Sequence, residues 1–210
     1  MTKQKKRVVV LLMSLFSAAV LLLVLLPVLL FMLTSDDEPT MPPIRFADPS
    51  LSADIESDED YMSLDRAIYY RTIDGYEIRT EIPEDAYSSQ PVAIQLLIAW
   101  LDAARRGDAD AYNACFSPEY IEKSGEQADF TMQKIYNITI TYRGRVTDTT
   151  VSDGYAETYL YSLAYCIKDN NGSLRKDMGS DVSREQYITV VRDAQGKAYI
   201  HGIKMYFPRY

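Results

Sequence analysis

The apolar positions of this chain pass through four patterns in turn. From Val8 to Leu33 they are almost continuous (VVVLLMSLFSAAVLLLVLLPVLLFML), with no charge and only Ser14 and Ser17 polar. About 20 apolar residues, at ~1.5 Å rise each, cross a bilayer core as a helix. The run predicts a transmembrane helix over residues 8–34, in which Pro27 is tolerated as a kink. A cleaved secretory signal has an apolar stretch of only about 7–15 residues and a small-x-small cleavage site. The sequence FMLTSDDE after the run offers no such site.

From Ser35 to Met62 apolar residues thin out and Pro, Ser, Asp and Glu take over (SDDEPTMPPIRFADPSLSADIESDEDYM). Such a segment buries too little to offset its ordering entropy, and its like charges repel. It predicts an acidic disordered linker over 35–62, tethering a domain over 63–210.

The domain opens on RAIYYRTIDGYEIRTEIP, Arg66–Pro83, two β-rich runs around Asp74-Gly75. That pair suits a tight hairpin turn, which needs positive φ. The period then changes to 3.6. Ala93, Leu97, Trp100, Leu101 and Ala104 share one helical face, widened by Val92 and Leu96. Ser89 or Gln90 is placed to cap this helix, and Pro91 suits its first turn. Arg105 and Arg106 favour its C-terminal dipole, and Gly107 ends it. Asp108 caps a second helix carrying Ala111, Tyr112, Cys115 and Phe116, and Ser117-Pro118 starts a third.

From Asn137 onward the period is two. Ile138, Ile140, Tyr142 and Val146 point one way, and Thr139, Thr141, Arg143, Arg145 and Thr147 the other. Further strands follow over Tyr155–Lys168, Glu185–Arg192 and Lys197–Phe207, separated by Asn170-Asn171-Gly172, a polar loop and Gln195-Gly196. Sequential strands joined by turns predict an antiparallel meander. The fold class read from these patterns is α+β, with helices first and a long-stranded antiparallel sheet after them.

The stretch WLDAARRGDADAYNACFSPEYIEK, Trp100–Lys123, carries a resemblance. A long helix with an aromatic, then Gly-Asp, then a short helix ending in Phe-Ser-Pro-Glu-Tyr, then curved strands, resembles the nuclear transport factor 2-like (cystatin-like) superfamily over roughly Ser88–Phe207. The resemblance implies a sheet bent around the long helix into a cone with a central cavity. It also implies either an enzyme of small hydrophobic substrates or a non-catalytic association module.

Charge adds direction to this layout. Lys3, Lys5, Lys6 and Arg7 precede the apolar run, and Asp36, Asp37 and Glu38 follow it. Basic residues stay in the cytoplasm, so residues 1–7 form a cytoplasmic tail and the domain lies outside a bacterial cell membrane as a single-pass protein. The net charge of −8 comes mainly from the 35–62 segment. No basic patch with interleaved aromatics points to nucleic acid.

Candidate chemistry is sparse. Cys115 and Cys166 lack metal spacing and read as small buried residues, with a disulfide as the alternative. One histidine makes a His-based metal site unfavourable, and no cofactor motif is present. His201 shares strand parity with Tyr199, Ile203, Met205 and Phe207, so on a cavity face it is a candidate general base, with Asp148 as its carboxylate partner. The common alternative is a hydrogen-bonded structural histidine. The 17 tyrosines are the unusual feature. Tyr159, Tyr161 and Tyr165 share one face of their strand with Leu163 and Ile167, opposite Ala156, Leu160, Ser162, Ala164 and Cys166. The small-residue face suits close approach of the long helix. The tyrosine face then lines a cavity or forms an interface, where tyrosine is favoured.

Two functions follow. One is a membrane-anchored association module binding a protein partner or itself, a layout similar to the bitopic scaffold subunit of bacterial secretion and conjugation machines. The other is a small-molecule binder or acid–base enzyme using the cone. A side-chain-filled cone favours the first, and an open cavity presenting His201 favours the second.

Overall fold

The computed structural model describes residues 43–73, 79–146 and 154–207, and isolated positions 23, 25 and 26. The chain divides into two units, Met1–Pro43 and Ile44–Tyr210, and the sheet with its helices belongs to the second. Among the described residues no helix is long and apolar enough to cross a membrane. Apart from those three positions, the 8–34 segment lies outside the described residues, as does the Asp74-Gly75 turn.

The architecture is α+β, and among the described residues six strands form one sheet ordered β2-β1-β3-β4-β5-β6. The strands are β1 (Ile68–Thr72), β2 (Thr80–Ile82), β3 (Lys134–Arg145), β4 (Glu157–Lys168), β5 (Gln186–Arg192) and β6 (Ala198–Lys204). β3 to β6 form the expected antiparallel meander, and β1 pairs antiparallel with β2. The expectation of a wholly antiparallel sheet is corrected by β1, which lies parallel to β3, with Ile68 opposite Ile138. The helices between them are the physical reason: a crossover returns the chain to the same end of the sheet, which permits parallel pairing.

The helices are α1 (Glu59–Met62), α2 (Val92–Arg106), α3 (Ala109–Asn113) and α4 (Pro118–Ser124). On α2 the periodic face is the buried one: Ala93, Leu97, Trp100, Leu101 and Ala104 are all at most 4% exposed. Its start differs from expectation. Residues Glu84–Ser89 form a 3₁₀ helix, and Pro91 occupies the N-cap position, which has no side-chain cap. Its end is as read, with Gly107 at φ 67°. Asp108 and Ser117 cap α3 and α4 by accepting from the N–H groups of Ala111 and Tyr120.

The linker boundary also needs correction. From Ile44 the chain belongs to the folded unit, and Ser52, Ile55 and Tyr61 are buried. Two of the acidic residues that suggested a tether have structural partners within the folded unit. Asp48 and Asp58 cap a 3₁₀ turn (Pro49–Ser52) and α1, and Asp58 also pairs with Lys134 and Lys168. The Tyr61 hydroxyl donates to the Ile135 carbonyl at 3.0 Å. Residues 44–62 thus form a strap fixed to the start of β3.

The faces of β4 are the reverse of the reading above. Tyr161, Leu163, Tyr165 and Ile167 join the core with α2, so the bulky face packs under the helix. Trp100 meets Tyr112 at 5.3 Å and Phe116 at 6.2 Å, and Tyr112 meets Phe130 at 5.3 Å. Aromatic volume fills the space that small side chains on β4 would have left to the helix backbone. Cys115 and Cys166 are both buried free thiols.

Candidate functional site

His201 sits at a bulge. Thr189 pairs with Gly202 and Val190 with Ile200, which leaves His201 as the extra residue on β6. A bulge resets parity. Tyr199 pairs with Val191, whereas Ile203 pairs with the core residue Ile188, so the expected face shared by Tyr199, His201 and Ile203 does not exist. The imidazole Nδ1 lies 2.8 Å from Ser117 Oγ, and its ring meets the Tyr155 ring edge-on at 5.4 Å. Tyr155 in turn donates to Glu119 at 2.5 Å. Ser117 is fully buried, and its Oγ already caps α4, so it is held as a structural group rather than presented to a substrate. Burial holds the His201 pKa below its usual value, against the pull of Glu119. Asp148 lies outside the described residues.

The interior between helix and sheet is filled. Tyr165 is 2% exposed, and its hydroxyl accepts from Arg175 at 2.8 Å. Arg175, also buried, makes a two-pronged contact with Asp177 at 2.7 and 2.9 Å. Asn170 fixes this loop by donating to the carbonyls of Arg175 and Met178. Tyr165 is therefore a core support for a buried arginine and is not available for surface contact.

Clefts of about 520, 430, 620 and 160 Å³ mark the surface of the folded unit, and His201 lines none of them. Two of them share Glu84, Asp102 and Arg105 along the α2 surface. The one of about 430 Å³ takes up the tyrosines. It is lined by Tyr70, Tyr142, Tyr159, Tyr161, Glu157 and Arg192, with Pro91–Ala93 at the start of α2 closing one side.

Strand register builds this pocket. Tyr142 pairs with Tyr161, Arg145 with Tyr159 and Glu157 with Arg192, and paired residues share a face. A register shift between Tyr142 and Gly144, with Gly144 at φ 136°, turns Arg145 onto the same face as Tyr159. The Tyr142 ring lies 5.4 Å from Tyr161 and 6.4 Å from Tyr159, both tilted. Tyr161 is 5% exposed and forms the floor, while Tyr159 is half-buried on the wall. Burial raises the Tyr161 pKa, reinforced by the neighbouring Tyr70, Tyr142 and Tyr159 hydroxyls.

At the rim, Glu157 accepts from Tyr159 at 2.6 Å, pairs with Arg192 and lies 3.8 Å from Arg145. These bonds, that of Tyr159 first, lower the Glu157 pKa and keep it ionised. Tyr159 and Tyr161 are legible in the sequence, whereas Tyr70, Glu157 and Arg192 carry no signal there. The alternation of β3 puts Tyr142 with the apolar residues, and only the register joins it to the others. No group of His, Cys, Asp and Glu side chains able to hold a metal ion occurs among the described residues.

Compared with protein-family models, curated proteins and solved structures, the chain matches none. The nuclear transport factor 2-like resemblance accordingly rests on the residue pattern alone.

Proposed function

We propose that this chain is a membrane-anchored extracytoplasmic association module, with residues 8–34 spanning the bilayer and the tyrosine pocket meeting a protein partner or a second copy. The observation that carries the reading is the contrast between interior and pocket. The core behind Tyr165 is filled by Arg175 and aromatic side chains, whereas Tyr142 and Tyr159 line a surface cleft. Tyrosine combines large contact area with a polar tip, which suits it to interfaces. The anchor is supported by the uncharged run from Val8 to Leu33 behind Lys3, Lys5, Lys6 and Arg7. The order of long helix, short helices and meander supports placing the domain with the nuclear transport factor 2-like folds.

The test is a photo-crosslinking side chain at position 159 in the full chain in intact cells, with protease added outside. A crosslinked partner or dimer, and removal of the domain to leave a short membrane stub, are expected. No crosslink at 159 alongside normal folding rejects the module. A mature chain beginning after Leu33 rejects the anchor.

A further inference from the structure

We propose that the tyrosine pocket receives a carboxylate carried on an apolar or aromatic body, and that its source is the free C-terminal end of a partner polypeptide. This inference rests on the association reading given above.

The sign of the pocket decides between guests. Boxes of tyrosine rings commonly hold organic cations, and Glu157 alone would favour one. Glu157, however, is already bound by Tyr159, Arg192 and Arg145. Among the described residues two guanidinium groups face that one carboxylate, which makes this part of the rim positive on a chain whose net charge is −8. The start of α2, at Pro91–Ala93, adds the positive end of a helix with no side-chain cap, equivalent to about half a charge. A cation meets net repulsion there, and an anion meets attraction.

The donors point the same way. Arg192 lines the pocket with its side chain 38% exposed, and one end of its guanidinium grips Glu157. An arginine fork has donors beyond those that one carboxylate takes, and a carboxylate oxygen is the acceptor that suits them best. The Tyr142, Tyr159 and Tyr161 rings offer faces to a flat or aliphatic group beside that oxygen. A volume of about 430 Å³ accommodates a terminal residue with its carboxylate and excludes a folded element. Capture of a chain end by donors beside an apolar pocket is a recognised peptide-binding mode.

The test uses the full chain and two fluorescent hexapeptides of identical sequence ending in phenylalanine, one with a free carboxylate and one amidated. Phenylacetate and tetramethylammonium serve as competitors. The free acid should bind at least about tenfold tighter than the amide, as expected for one charge-assisted hydrogen bond. Arg192→Gln should abolish that preference. Glu157→Gln should tighten the free acid by removing a like charge, so the two rim variants move in opposite directions. Arg184→Gln, outside the pocket, should change neither peptide. Equal binding of acid and amide, displacement by tetramethylammonium in preference to phenylacetate, or unchanged preference in a folded Arg192→Gln overturns the proposal. Phenylacetate binding as tightly as the peptide reassigns the source to a small molecule and overturns the polypeptide end. A partner crosslinked at position 159 with neither peptide bound overturns the carboxylate alone and leaves the association reading standing.

Discussion

Asp58 Oδ2 lies 2.5 Å from the Nζ of Lys134, a lysine whose side chain is only 4% exposed. The same ammonium reaches Asp169 at 2.9 Å, while Asp58 also holds Lys168 at 3.2 Å. Burial alone would lower the Lys134 pKa, but its bonds to Asp58 and Asp169 outweigh it and the net shift is upward. One carboxylate from the strap thereby joins the start of β3 to the end of β4.

Asp58→Asn should lower the melting temperature, and its effect should depend on pH. The bond from Lys134, then that from the Tyr61 N–H, depress the Asp58 pKa from the ordinary 3.8. A depressed carboxylate contributes stability that is full above the unfolded value and is lost as pH falls toward the folded one. The gap between wild type and variant should hold constant from pH 8 to about 5 and shrink below about 4. Thermal melts across that range check this, and a gap unchanged at pH 3 would contradict it.

Trp100→Ala should destabilise the domain by about 3–5 kcal/mol, because the residue is 2% exposed among Tyr112 and Phe116. Trp100→Phe should cost much less. The buried indole N–H makes no hydrogen bond among the described residues, so its removal forfeits packing alone. Urea denaturation of the two variants separates these outcomes. A loss below about 1 kcal/mol for the alanine variant would place the residue outside the core.

His201→Gln should leave partner association unchanged and alter the pH dependence of stability. Burial lowers the folded His201 pKa from 6.5, with Glu119 opposing and Lys123 assisting. Below 6.5 the unfolded chain takes a proton that the folded one resists, so the wild type should lose stability as pH falls through that region. The variant should lack this slope. Melting curves from pH 8 to 5, beside a crosslinking assay at pH 7, measure both. Loss of association in a folded variant would return His201 to the functional site.

The two pocket tyrosines should behave differently. Tyr159→Ala, on the wall, should weaken association by about 2 kcal/mol or more with the fold intact. Tyr161→Ala removes a side chain 5% exposed and should destabilise the domain by about 3 kcal/mol or more. Paired binding and melting measurements distinguish them. Equal melting temperatures would show that Tyr161 is not the floor of the pocket.

Much of the local structure was legible because its causes are local. A 3.6 period named the buried face of α2, and Asp108 and Ser117 named two helix starts. Gly107 named the end of α2. There the reason is doubled, since a Cβ at φ 67° would stand 2.8 Å from the Met132 nitrogen. Period-two alternation and turn residues gave the four meander strands. The α+β class followed from their order.

Long-range pairing decided the rest. Nothing in RAIYYRT says that β1 lies parallel to β3, because the partner is 70 residues away at Arg71 and Thr141. Both faces of β4 carry apolar side chains, so hydropathy could not choose between Tyr161-Leu163-Tyr165 and Leu160-Ser162-Ala164; the aromatic packing beneath α2 chose. The acidic strap looked disordered because its partners, Lys134 and Lys168, lie far along the chain. One bulge residue at His201 undid a parity argument that was sound for a regular strand. The pocket itself draws on β1, β3, β4, β5 and the start of α2. The sequence by itself determined α2 to α4 and the meander strands, since period, caps and turns act over a few residues. Only the tertiary structure decided which tyrosines are floor, wall or core support, because burial is set by what each face meets and not by the residue that occupies it.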